Sequence, residues 1–145
     1  MARLPFTDVV AFISGGSAGI GLAIARKLCE RGATVAITGR STERGHRAIR
    51  ELQEISPKSI FIQSDASNSE SCQQAISQAM QQLGPFAIFV SAGAQGSVGP
   101  IPFEKMSAAD IESTISSRLL ARIFPVHAAI PVLRARGGGT ILMIT

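Results

Sequence analysis

The sequence predicts an α/β fold, a doubly wound parallel sheet with helices on both faces. Short apolar runs alternate four times with segments of helical periodicity, the pattern of parallel strands joined by crossover helices. The runs are continuous instead of alternating in polarity, as strands covered on both faces require. A glycine-rich turn also separates the first run from the first helical segment. The 145 residues suit one domain, and 46% apolar residues with a mean hydropathy of +0.27 exclude intrinsic disorder.

Residues 9–14 (VVAFIS) form the first predicted strand. A helix over residues 20–31 follows, because Ile20, Ala23, Ile24 and Leu28 recur at helical spacing, and Gly32 stands where a left-handed cap is wanted. Residues 35–38 are the second strand. Ser41 or Thr42 caps a helix to residue 55, with Ala48, Ile49 and Leu52 facing inward, and Pro57 ends the connection. Residues 60–63 are the third strand. Ser67 or Asn68 caps the next helix, which Gly84-Pro85 stops after Leu83. Residues 86–90 (FAIFV) are the fourth strand, with Phe86 and Phe89 in the core. A loop holding Gly93, Gly96, Gly99, Pro100 and Pro102 leads to Ser107. From there a long helix runs to residue 134, bent at Pro125, whose ring removes one backbone donor. A turn at Gly137-Gly138-Gly139 precedes the fifth strand, residues 140–145 (TILMIT).

Several function classes drop out on composition. The net charge is +4, but Arg40, Arg44, Arg47 and Arg50 are interleaved with Glu43, Glu51 and Glu54 and lack stacking aromatics. That segment reads as a solvated helix face, so nucleic acid is not an expected partner. Cys29, Cys72, His46 and His127 are isolated and give no metal-ligand spacing. Unpaired thiols suit a reducing compartment, and no apolar stretch approaches the length of a membrane span. A soluble, cytoplasmic protein is expected. The run of Ser113 to Ser117 has no histidine–acid partner nearby and reads as helix surface. Tyrosine and tryptophan are both absent, which closes any mechanism needing a phenol within these residues.

The informative segment is residues 14–21 (SGGSAGIG), lying between the first strand and the first helix. Gly15 allows a tight turn, Gly19 clears space for a diphosphate, and Gly21 lets helix and strand pack closely. The helix start adds unpaired N–H groups and a partial positive charge for phosphates. The second strand ends Thr38-Gly39-Arg40, with no acid until Glu43. An acid there would hold the ribose hydroxyls of NAD, whereas Arg40, with Arg44 one turn on, suits the 2′-phosphate of NADP.

On these residues the chain resembles the short-chain dehydrogenase/reductase family, from Val9 to Thr145. The glycine turn is similar to that family's TGxxxGxG fingerprint, and Thr38-Gly39-Arg40 to its NADP-preferring members. Asp65 matches the aspartate that contacts the adenine amino group. Val90-Ser91-Ala92-Gly93 matches the NNAG segment on the adenosine side of the cofactor, and Pro131 also falls in place. The resemblance implies a Rossmann-type sheet of order 3-2-1-4-5. It also implies NADP(H) in preference to NAD, and hydride transfer with a small carbonyl or alcohol substrate. It assigns Gly15, Ser17, Gly19, Ile20 and Gly21 to the diphosphate and Arg40 to the 2′-phosphate. Asp65 and Ala66 go to the adenine, Ala92 and Gly93 to the ribose, and Ser91 is a further cofactor-binding position.

The chain also departs from the family. The catalytic serine and Tyr-x-x-x-Lys are absent, and the only lysines are Lys27, Lys58 and Lys105. Arg118 stands where many members carry an asparagine, and Val90 where they carry another. Residues 1–145 are therefore expected to be a dinucleotide-binding domain, incomplete relative to the family and cut after the fifth strand. In that case TILMIT is an exposed apolar edge, and the chain is marginal alone, part of a larger polypeptide, or a homo-oligomer through helix 109–134. Two other readings stand beside an oxidoreductase: a non-catalytic NADP(H)-binding or dimerising module, and an interaction surface that binds no nucleotide.

Overall fold

A computed structural model describes residues 5–93 and 100–145, so Gly96 and Gly99 of the predicted loop lie outside the described residues. Five strands form one sheet: β1 (Val10–Ser14), β2 (Thr34–Gly39), β3 (Ile60–Gln63), β4 (Ile88–Ser91) and β5 (Thr140–Met143). Every pairing is parallel, as the strand–helix alternation predicts, and the order is β3-β2-β1-β4-β5, as the family resemblance implies. Helices α1 (Gly19–Glu30), α2 (Thr42–Gln53) and α3 (Ser69–Leu83) connect the first four strands. Between β4 and β5 come a 3₁₀ turn (Phe103–Lys105), α4 (Ala108–Thr114), a π-helical segment (Ile115–Leu120) and α5 (Ala121–Ala135).

The continuous apolar strands are explained by two cores, one on each face. Ala11 and Ile13 of β1 and Val35 and Ile37 of β2 point to α1 and α2, meeting Ala25, Cys29, Ala48, Ile49 and Leu52. Phe12 and Ala36, one residue out of phase, point the other way to Ala75, Ile76 and Ala79 of α3 and Ala129 and Leu133 of α5. Phe12, Phe86 and Phe89 fill that second core, with Phe12 ring centroids 5.5 Å from each of the other two. Burying these side chains contributes roughly 1.5–3 kcal/mol each.

Capping choices left open by the sequence are resolved by geometry. The Ser41 Oγ accepts from the Arg44 N–H at 3.2 Å, and the Asn68 Oδ1 from the Ser71 N–H at 2.8 Å. Ser107 and Asp110 form a reciprocal capping box at the start of α4.

Three differences from expectation concern the last part of the chain. The β4 strand starts two residues later than predicted: Phe86 is a core residue, but the β1 register begins at Ala11 opposite Ile88. Strand β5 ends at Met143 because its only partner among the described residues, β4, ends opposite it at Ser91. The long helix runs through Pro125, and its irregularity is the π-helical segment just upstream. A proline ring crowds the carbonyl four residues earlier, here Ala121, and the widened turn ends immediately before that residue.

Candidate functional site

Neighbours β1 and β4 send their chains to opposite faces of the sheet, which leaves a crevice at their carboxyl ends. There the structure has a cleft of about 590 Å³. Its middle is the turn after β1 and the start of α1. One arm reaches the ends of β2 and β3, where Thr38, Gly39, Arg40, Arg44, Ser64, Asp65, Ala66 and Ser67 line it. The other reaches the end of β5, lined by Ser113, Ser116, Ser117, Ala121, Arg122, Ile144 and Thr145.

Backbone proximity dictates the glycine positions in the middle. A Cβ on Gly15 would stand 2.5 Å from the Gly93 backbone, and one on Gly21 would stand 2.2 Å from the Gly15 carbonyl oxygen. Gly19 differs: its φ is +54° and a Cβ there would meet nothing within 4 Å, so the space in front of it is open. Ala18 supplies no side-chain cap to α1, unlike the residues capping α2, α3 and α4. The first N–H groups of α1 thus open on the cleft beside Ile20, an apolar side chain 62% exposed. These features fit a diphosphate and an adjoining flat apolar group.

In the first arm, the Asp65 Oδ1 accepts from the Ser67 N–H at 2.9 Å and from its hydroxyl at 2.7 Å. That fixes the carboxylate at the end of β3. Gly39 admits the Ser17 hydroxyl, which would lie 2.3 Å from a Cβ at that position. The Arg40 carbonyl accepts from the Gln63 side-chain amide at 3.1 Å, which pins the backbone as it leaves β2. Below this arm the buried Cys72 thiol is pushed up to about 11, by desolvation first and by the Asp65 charge second.

Gly15, Ser17, Gly19, Ile20, Gly21, Arg40, Asp65, Ala66, Ala92 and Gly93 all line this one cleft. Ser91 does not. It is fully buried, and its hydroxyl donates to the Arg122 carbonyl at 3.1 Å, so it ties β4 to α5. Among the described residues no cluster of acids, histidines and cysteines could hold a metal, and no helix is long and apolar enough to cross a membrane.

The profile of the short chain dehydrogenase family matches residues 9–145. The chain belongs to the short-chain dehydrogenase family. Its relatives include a 2,5-dichloro-2,5-cyclohexadiene-1,4-diol dehydrogenase of Sphingobium indicum, 29% identical over 136 residues, covering 94% of this chain and 54% of that protein. A 3-dehydrosphinganine reductase of Arabidopsis thaliana is 32% identical over 128 residues, covering 88% of this chain and 37% of that protein. Among solved structures, L-sorbose reductase from Gluconobacter frateurii, in complex with NADPH and L-sorbose, superposes with a TM-score of 0.86 at 26% identity. That match covers 98% of this chain and 54% of that one. The chain thus spans about half the length of the family relatives it matches.

This short-chain dehydrogenase fold brings in residues that sequence reasoning read otherwise. Ser113 of α4 and Ser116 and Ser117 of the π-helical segment, expected on the helix surface, line the cleft. Arg122 was not singled out at all. Its Nε donates to the Ile144 carbonyl at 2.8 Å and its Nη1 to the Arg118 carbonyl. Nothing local marks it, since the strand end it touches is 22 residues away.

Proposed function

We propose that these residues are the NADP(H)-binding part of an oxidoreductase that moves hydride between a nicotinamide and a small carbonyl or alcohol. One observation carries this reading: an uncapped helix start and its glycine cradle share a cleft with Arg40 and Arg44, with no carboxylate at the end of β2. In this reading the N–H groups at the start of α1 and the Ser17 hydroxyl hold the diphosphate. Arg40, helped by Arg44, holds the 2′-phosphate, Asp65 and Ala66 hold the adenine, and Ala92 and Gly93 hold the ribose. Bound NADP(H) supplies or accepts the hydride. The 145 residues contain no tyrosine, so no phenol among them handles the proton exchanged at the substrate oxygen. The NADPH held by L-sorbose reductase supports the choice of cofactor.

A second reading, a cofactor-binding module that pairs with another copy, is favoured by exposed Ile115, Leu119, Ile123 and Ile130 along the α4–α5 helix. Both readings place the protein in a reducing compartment such as the cytoplasm, consistent with free, buried Cys29 and Cys72. Titration with NADPH, followed by nicotinamide fluorescence and by calorimetry, tests the shared claim. Saturable binding is expected, and no binding at millimolar NADPH would reject it.

A further inference from the structure

The two arms of the cleft carry different charges, and the second arm has a use of its own. A dinucleotide held by its diphosphate at the start of α1 has one nucleoside on each side. With the adenosine half between Arg40 and Asp65, the nicotinamide half is left with the arm that ends at β5. Arg122 is the charged side chain of that arm among the described lining residues, and the one lining side-chain carboxylate, Asp65, belongs to the other arm. The guanidinium is ionised at every working pH. It is also held in place, because the Ile144 and Arg118 carbonyls accept two of its N–H groups from different elements. Carbonyl dipoles orient the group without cancelling its charge. The structure shows no ion pair at Arg122 that would do so.

An oxidised nicotinamide ring carries one positive charge and a reduced ring carries none. We infer that Arg122 is a specificity residue that makes this cleft hold the reduced dinucleotide more tightly than the oxidised one. The inference rests on the NADP(H) reading above. For an assumed separation on the order of 10 Å in a partly open site, a like charge opposes binding of the oxidised form by about two- to fifteenfold. The lower figure applies in physiological salt and the upper one without screening. The reduced form is untouched by that repulsion, so the effect appears as a ratio of two affinities and not as a general loss of binding.

The experiment measures the dissociation constants of NADPH and NADP⁺ by calorimetry for the 145-residue chain and for Arg122→Gln and Arg122→Lys, each with an amidated C-terminus so that no terminal carboxylate at Thr145, which lines the same arm, offsets the guanidinium. The ratio of the NADP⁺ constant to the NADPH constant is expected to fall about two- to fifteenfold in Arg122→Gln. Arg122→Lys is expected to retain it. A purely structural role would weaken both forms alike and leave the ratio unchanged in Arg122→Gln, which would overturn the inference. If Arg122→Gln does not fold, the wild-type ratio is followed from about 0.05 M to about 0.5 M salt, where screening must shrink it. A ratio indifferent to salt also overturns the inference. If the wild-type chain binds neither form, the NADP(H) reading itself fails, an outcome distinct from binding of both with an unmoved ratio.

Discussion

Replacing Arg40 by alanine separates a dedicated 2′-phosphate contact from an ordinary surface arginine. Arg40 follows the last residue of β2 and lines the cleft, with its backbone held by Gln63. A hydrogen bond between charged partners contributes about 1.5–3 kcal/mol, or about 10- to 150-fold in affinity. Arg40 is exposed, so solvent and salt screen the pair and the lower end applies. Arg40→Ala should therefore weaken NADPH about tenfold and change NADH binding less than about twofold. Removing Arg44 as well, whose N–H is anchored to the Ser41 cap, should widen the gap further. The assay is paired titration with NADPH and NADH at one ionic strength, with far-ultraviolet circular dichroism to confirm folding. Equal losses for both cofactors would refute the assignment, because NADH has no 2′-phosphate to lose. An unaltered NADPH affinity would refute it equally.

Other parts of the structure yield their own tests. A Cβ at Gly21 would press on the Gly15 carbonyl oxygen, so Gly21→Ala should cost about 1–3 kcal/mol, seen as a melting point lowered by roughly 4–12 °C. Ser107→Ala removes the side-chain half of the α4 capping box, leaving the backbone N–H bond to the Asp110 carboxylate, and should cost about 1 kcal/mol by denaturant titration. Cys72 keeps its proton in the fold up to about 11 but loses it near 9.0 when unfolded. The stability tied to it is complete below pH 9 and falls as pH rises from there towards 11. Cys72→Ala should flatten that part of the profile. Ile141, Leu142 and Met143 are about two-fifths exposed on β5, so Leu142→Lys should reduce concentration-dependent self-association measured by light scattering.

Much of the architecture was legible in one dimension because its signals are local. The continuous run VVAFIS implies a strand buried on both faces, and Phe12 does lie opposite in facing to Ala11 and Ile13. Gly32 and Gly84 end their helices where the sequence places them. The glycine turn, Arg40 and Asp65 were legible as candidates for the same reason, since each sits at the carboxyl end of a readable strand. Local signals failed where distant partners decide the matter. The proline drew attention to residue 125, whereas the π-helical segment at Ile115–Leu120 just upstream carries no local signal. Ser91 matched a cofactor-lining pattern, yet it is turned inwards to the Arg122 carbonyl.

The sequence by itself determined the parallel α/β fold, the family and one arm of the cleft, because periodicity, caps and glycine spacing are set within a few residues. Only the tertiary structure decided the other arm. There the end of β4, the start of α5 and the residue after β5 meet, and Ser91, Arg122 and Ile144 come together from three separate parts of the chain. No spacing rule links residues 31 or 22 positions apart, so Arg122 acquires its place only when the sheet closes against α5.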